Sequence, residues 1–201
     1  MKGWRYQSYR HSLAARGVRT SLRAKHTQLN GSLVAKTKHG IPITMKDKPD
    51  CDNKYPVSVN EVKEVFDEKP YDEVVGITEI NFRKPGIPAT KQDKAWAQYV
   101  RSKKRVNVFT QKFDNKKKQF EDVDLGTENP ENARMHMIDY VLPHEVAHHT
   151  LQHVWKKDKD PMIVEEARAD AMAAGMNPLD KNVEKVFIKS RKDQFGPKGS
   201  I

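Results

Sequence analysis

The chain is 201 residues long, enough for one domain with a real core plus an arm or tail, but cramped for two domains. No apolar run approaches the roughly 20 residues needed to span a bilayer, residues 1–25 lack the apolar centre of a secretory signal, and a lone cysteine, Cys51, excludes an internal disulfide. A cytoplasmic protein with no membrane span is expected.

Residues 1–46 carry ten Lys and Arg and no acid, so the whole net charge of +10 sits there and residues 47–201 hold 27 charges of each sign. Trp4, Tyr6 and Tyr9 lie among Arg5, Arg10, Arg16, Arg19 and Arg23. This basic N-terminal arm suits phosphate contact with base stacking, and a non-specific nucleic-acid partner is one expectation for residues 1–46. A solvated tail that aids solubility is another, and an organelle transit segment, which is also Arg-rich and acid-free, is a third. Pro42, Pro49 and Pro56, together with the first acids, mark residues 40–56 as a linker or an extended entry to the domain. The expected organisation is an arm and linker at 1–48, a domain at 49–190 and a tail at 191–201.

Ser58 and Glu61 have capping-box spacing ahead of Val62, Val65 and Phe66, which predicts a helix that stops before Pro70. "EVVGITEINF", "AWAQYVR" and "RVNVFTQKF" place apolar residues near alternate positions and predict three strands. The short turn at residues 102–104 predicts a hairpin between the last two. Residues 114–128 are polar and read as a surface loop. Asn129 and Pro130 suit the start of a helix over 129–155, with Pro143 as a kink or restart. An alanine-rich helix follows through "MIVEEARADAMAAG", stopped near Gly175 and Asn177, and "DKNVEKVFIKSRK" predicts an amphipathic last helix.

"PHEVAHHTLQH" holds the chemistry. His144 and His148 are one helical turn apart and can aim two imidazole nitrogens at one ion about 2.0 Å away. Glu145, one position round, has the place of a general base that takes a proton from a metal-bound water without being a ligand. A catalytic zinc needs a third protein ligand. His149 lies about 100° and His153 about 140° round the helix from His148, so neither shares its face. The metzincin pattern is excluded, because its Gly and third His positions are Leu151 and Val154. In "EEARAD", Glu166 and Asp170 are four apart, so Glu166 can ligate while Asp170 hydrogen-bonds the free nitrogen of a ligating histidine. Glu166 is preferred to Glu165, which faces elsewhere if Asp170 has that role. One Zn2+ per chain is the expected cofactor.

These residues resemble the gluzincin zinc peptidases, in which HExxH is joined to a downstream Glu in an ExxxD or ExxAD context. The order of "VVGITEINF", "ATKQDKAWAQYV", "RVNVFTQKF" and "YVLPHEVAHH" is similar to that of the minigluzincins, over roughly residues 55–177. The resemblance implies an α+β catalytic domain whose short, mostly antiparallel sheet packs on the HExxH helix and on a second, Glu-bearing helix. It implies His144, His148 and Glu166 as zinc ligands, Glu145 as general base and peptide-bond hydrolysis as the activity. It also implies a rim strand that pairs with an extended substrate, for which residues 106–111 are the candidate. The Tyr or His that many members use to steady the oxyanion has no match in this reading. An ImmA/IrrE-like regulatory peptidase is the alternative within the enzymes, and a non-catalytic, zinc-stabilised nucleic-acid-binding protein is the alternative outside them. Cys51, in a Pro-flanked segment, is a candidate latency thiolate beside the bland reading of a cysteine without a role.

Overall fold

The computed structural model describes residues 29–85, 95–122, 126–154 and 162–195. Strands β1 (Ser32–Lys36) and β2 (Pro42–Met45) pair antiparallel. β3 (Asn53–Lys54) comes next, then helices α1 (Val59–Glu68) and α2 (Tyr71–Val74) and strand β4 (Glu79–Arg83). β5 (Ala97–Val100) and β6 (Arg105–Phe109) form the expected hairpin, with Lys104 left-handed at φ 48° in the turn. β7 (Gln111–Asp114), β8 (Gln119–Asp122) and β9 (Gly126–Glu128) precede the helices α3 (Pro130–His136), α4 (Leu142–Val154), α5 (Met162–Ala173) and α6 (Lys181–Phe195).

The main sheet has the order β1-β2-β4-β6-β5, and it is mixed rather than mostly antiparallel: β2 pairs parallel with β4, and β4 with β6. The helical stretch α1–α2 between β2 and β4 is the crossover that a parallel pair requires. One face of this sheet carries Ile43, Ile80, Phe82, Val106 and Val108, all buried, and joins Val62, Val65 and Phe66 of α1 and Leu142 and Val146 of α4 in a single core. The capping box forms as expected: Glu61 N donates to the Ser58 hydroxyl and Ser58 N donates to Glu61.

The boundary expected at residue 48 is corrected by this sheet. Ile41, Ile43 and Thr44 are buried, and Asn30 N donates to Glu79 Oε1 at 2.8 Å on the other face, so residues 30–46 belong to the domain. The hydrophobic pattern of "GIPITM" is too short to outweigh the lysines around it in a sequence reading. Residues 1–28 of the arm lie outside the described residues. The boundary expected at 190 falls inside α6, whose Arg191 is buried.

Residues 114–128 are also not a plain loop. Asp114 Oδ1 accepts from Lys116 N and Lys117 N, Lys118 takes φ 57°, and the chain returns as β8. Phe120 is buried there, edge-on to Phe113 with ring centroids 5.0 Å apart, and β3-β7-β8-β9 form a second small sheet.

Asn129 caps α3, its side chain accepting from Asn132 N. The helix reaches α4 through a wide π turn over Met137–Val141, in which Leu142 N donates to Met137 O. Pro143 has no N–H to give residue 139, and its ring crowds that carbonyl. The wider turn is where the helical ladder absorbs this conflict. α5 ends in a Schellman motif, with Gly175 at φ 73°, Gly175 N bonded to Met172 O and Met176 N to Ala171 O.

Candidate metal centre

α4 and α5 pack side by side through Ala147, Leu151 and Ala169, and the small Ala167, Ala169 and Ala171, all buried, let the helix axes approach closely. That approach brings His144, His148 and Glu166 together. His144 Nε2 and His148 Nε2 lie 3.0 Å apart, Glu166 Oε2 lies 3.2 Å from His144 Nε2, and Glu166 Oε1 lies 3.2 Å from His148 Nε2. Ligands bound about 2.0–2.1 Å from a tetrahedral zinc are separated by roughly 3.3 Å. The two imidazole nitrogens, and each of them with one oxygen of Glu166, come close to that spacing, so the three residues could hold a metal ion.

Asp170 stands behind His144. Its Oδ1 is 2.8 Å from His144 Nδ1, and the placement leaves Nε2 as the nitrogen that faces His148 and Glu166. The same Oδ1 accepts from the Tyr140 hydroxyl at 2.8 Å and from Arg191 Nη2 at 2.9 Å, while Oδ2 accepts from Arg191 Nε at 2.6 Å. Arg191 Nη2 also lies 3.3 Å from Glu166 Oε2. Burial works against a charged imidazole at His144, yet Asp170 and Glu166 outweigh it and push its pKa up to about 9. Burial likewise opposes ionisation of Asp170, but His144 and Arg191 overcome it and lower the carboxyl to about 2. Glu166 is held well below the usual carboxylate range in the same way, by His144 and His148 against the cost of burial. The Tyr140 phenol is raised, first by burial and then by Asp170.

Glu145 points away from this cluster toward the sheet, where its Oε2 accepts from Tyr99 N at 2.5 Å. Glu165 is engaged elsewhere, in an ion pair with Arg101 just past β5. His149 is buried and bonded to Tyr99 and Val75, not to the cluster. The side chain of His153 lies outside the described residues. Cys51 is exposed beside β3, its carbonyl accepting from the Asn115 side chain.

Residues 106–111, the candidate for a rim strand, do not form a sheet edge. Residues 105–109 form β6, which is paired on both sides and buried throughout. The sheet edge next to α4 is β5. Phe109 N donates to Trp96 O, so residues 96, 98 and 100 face β6, and the backbone groups of Ala97 and Tyr99 face outward. Sequence reasoning also missed Tyr140 and Arg191. Tyr140 is four residues before His144, the spacing of a same-face neighbour, and that signal was available; Arg191 comes from a separate helix and left no local sign.

The chain matches no family model, no curated protein and no solved structure. No helix among the described residues is long and apolar enough to cross a membrane.

Proposed function

We propose that the chain is a zinc-dependent metallopeptidase of the gluzincin type, similar to the minigluzincins, with His144, His148 and Glu166 as ligands of one zinc and Glu145 as general base. The observation that carries this reading is the convergence of two imidazole nitrogens 3.0 Å apart on one carboxylate, each nitrogen 3.2 Å from a different oxygen of Glu166, with Glu145 one residue round the same helix. Two imidazole nitrogens and a carboxylate that converge in this way are a ligand set that one metal ion can share.

His144, His148 and Glu166 would hold the zinc, and when bound it would supply Lewis-acid polarisation of a peptide carbonyl and a water acidified toward about pKa 7. Asp170 keeps a proton on His144 Nδ1, so that Nε2 offers a lone pair. Tyr99 N holds Glu145 Oε2, which leaves Oε1 to take the proton of the attacking water and deliver it to the leaving amide nitrogen. The outward N–H and C=O of Ala97 and the outward C=O of Tyr99 on β5 suit the pairing of an extended peptide along the edge, the way strands are added to sheets in peptide recognition, while the Tyr99 N–H stays with Glu145.

The decisive experiment measures zinc content and casein hydrolysis together. Glu145→Gln is expected to keep one zinc per chain and lose hydrolysis, whereas His144→Ala, His148→Ala or Glu166→Ala each empties the site. Full activity in Glu145→Gln, or zinc retained without Glu166, sinks the assignment. A zinc-loaded wild type that leaves casein intact points instead to the non-catalytic reading.

A further inference from the structure

α4 carries two i,i+4 pairs side by side. His144 and His148 face Glu166; Glu145 and His149, one position on, face β5. Both members of the second pair meet a single residue of the edge strand. Glu145 Oε2 accepts from the Tyr99 backbone N–H at 2.5 Å, and His149 Nδ1 lies 2.8 Å from the Tyr99 hydroxyl. On its far side His149 Nε2 lies 3.0 Å from Val75 O, in the turn that leads into β4.

This geometry fixes the protons. A carbonyl oxygen only accepts, so Nε2 of His149 carries hydrogen and donates to Val75 O. Burial pushes the Tyr99 phenol up to about 12, so it keeps its hydrogen and donates to Nδ1. The chain Tyr99 O–H to His149 to Val75 O is then fully satisfied at the centre of the fold, with His149 only 1 % exposed. The next residue repeats the attachment, Thr150 Oγ1 donating to Glu73 O at 3.0 Å. Gly76 takes φ 95°, which keeps the turn that presents Val75 O in its required shape.

We infer that His149 and Tyr99 are positioning residues that hold the β5 edge at a fixed distance from Glu145 and from the ligand cluster. The inference rests on the peptidase reading for its meaning, because it makes β5 the strand that receives substrate. Its physical content is narrower: an edge strand has a partner strand on one side only, and here Tyr99 ties the other side to α4 twice, through its N–H to Glu145 and its hydroxyl to His149. Without it, β5 shifts on β6 and the Tyr99 N–H moves relative to the carboxylate it holds.

Tyr99→Phe, which deletes one oxygen, tests this, with His149→Gln as a second variant that keeps a donor for Val75. Both are expected to retain zinc. KM for casein should rise up to about 10-fold, the equivalent of one hydrogen bond's worth of binding shared by ground and transition states, with a smaller change in kcat. Simple loss of stability lowers the active fraction and so the apparent kcat, and leaves KM alone. The double variant Tyr99→Phe/His149→Gln should cost little more than either single one. An unchanged KM in both single variants overturns the inference. If wild type does not cleave casein, the peptidase reading fails, and amide exchange decides the clamp. Residues 97–100 should then exchange on the order of fivefold faster in Tyr99→Phe, while residues 80–82 keep their protection. Equal protection of the two strands overturns it.

Discussion

Asp170→Asn separates the physical roles of the carboxylate most sharply. In the wild type Asp170 Oδ1 receives the Tyr140 hydroxyl and Arg191 Nη2 and lies 2.8 Å from His144 Nδ1, and Oδ2 receives Arg191 Nε. Asparagine has one acceptor oxygen and one NH2 group. With the oxygen toward His144, the NH2 meets Arg191 Nε; turned round, it meets His144 Nδ1 and the Tyr140 hydroxyl. Either arrangement sets donor against donor and takes from the buried Arg191 the carboxylate that accepts from both its Nε and its Nη2. The pKa of Asp170 falls from 3.8 to about 2, and at 1.36 kcal/mol per pKa unit that is worth about 2–3 kcal/mol. The side chain is only 8 % exposed, so solvent screening removes little of this. Breaking a buried pair from one side costs about 3–5 kcal/mol, so a loss near 3 kcal/mol is expected.

The sign follows from the depressed pKa. This stability is present above about pH 4 and disappears as pH falls through about 2. Urea unfolding of chelator-stripped protein at pH 7 should show the full difference between wild type and Asp170→Asn, and the gap should narrow below pH 4. Zinc affinity, read by competition with a chromophoric chelator, should fall about 10- to 100-fold. A variant that unfolds with the wild type and binds zinc within threefold of it would refute the network reasoning.

With its pKa near 9, His144 is protonated at pH 7, so zinc uptake should release about one proton; calorimetry in buffers of different ionisation enthalpy reads it, and a buffer-independent heat counts against it. The same raised pKa gives chelator-stripped protein a stabilisation present below about pH 6.5 that is lost as pH rises through about 9. The arm supplies a test of a different kind. Residues 1–28 hold seven of the Lys and Arg and no acid, so deleting them, and not residues 1–46, which would remove β1 and β2, should abolish binding to duplex DNA and spare zinc. The log–log salt slope of full-length protein should then reach about −6 at most, and a salt-independent affinity points to a solubility tail.

Elements whose signals are local were legible. The Ser58–Glu61 box, the Asn129–Pro130 start and the Gly175 stop each act within one turn of chain, so the residues that cause them are also adjacent in sequence. The juxtaposition of His144 with His148 and of Glu166 with Asp170 was legible for the same reason. Pairing between strands was not: β2 is four residues long and begins on Pro42, and nothing within it announces that Ile43 will lie beside Ile80. The choice of residues 106–111 as an edge has the same origin. "RVNVFTQKF" is the strongest β pattern in the chain because β6 is buried on both faces, and burial of that kind marks a centre strand, whereas an edge strand has a weaker pattern.

The same distinction explains the histidine run. In a helix, HExxHH places two i,i+4 pairs on adjacent stripes, and a reading aimed at metal ligands uses the first stripe and discards His149 as facing the wrong way. It does face another way, toward Tyr99. Orientation away from the cluster is what allows a helix to hold metal ligands on one stripe and fix an edge strand with the next. Glu145 belongs to the second stripe by geometry and, in the proposed mechanism, to the first by chemistry. If Glu145 is the base, its distance to the ligands is set by the packing of β5, and the fold as well as the motif would then govern the proposed reaction.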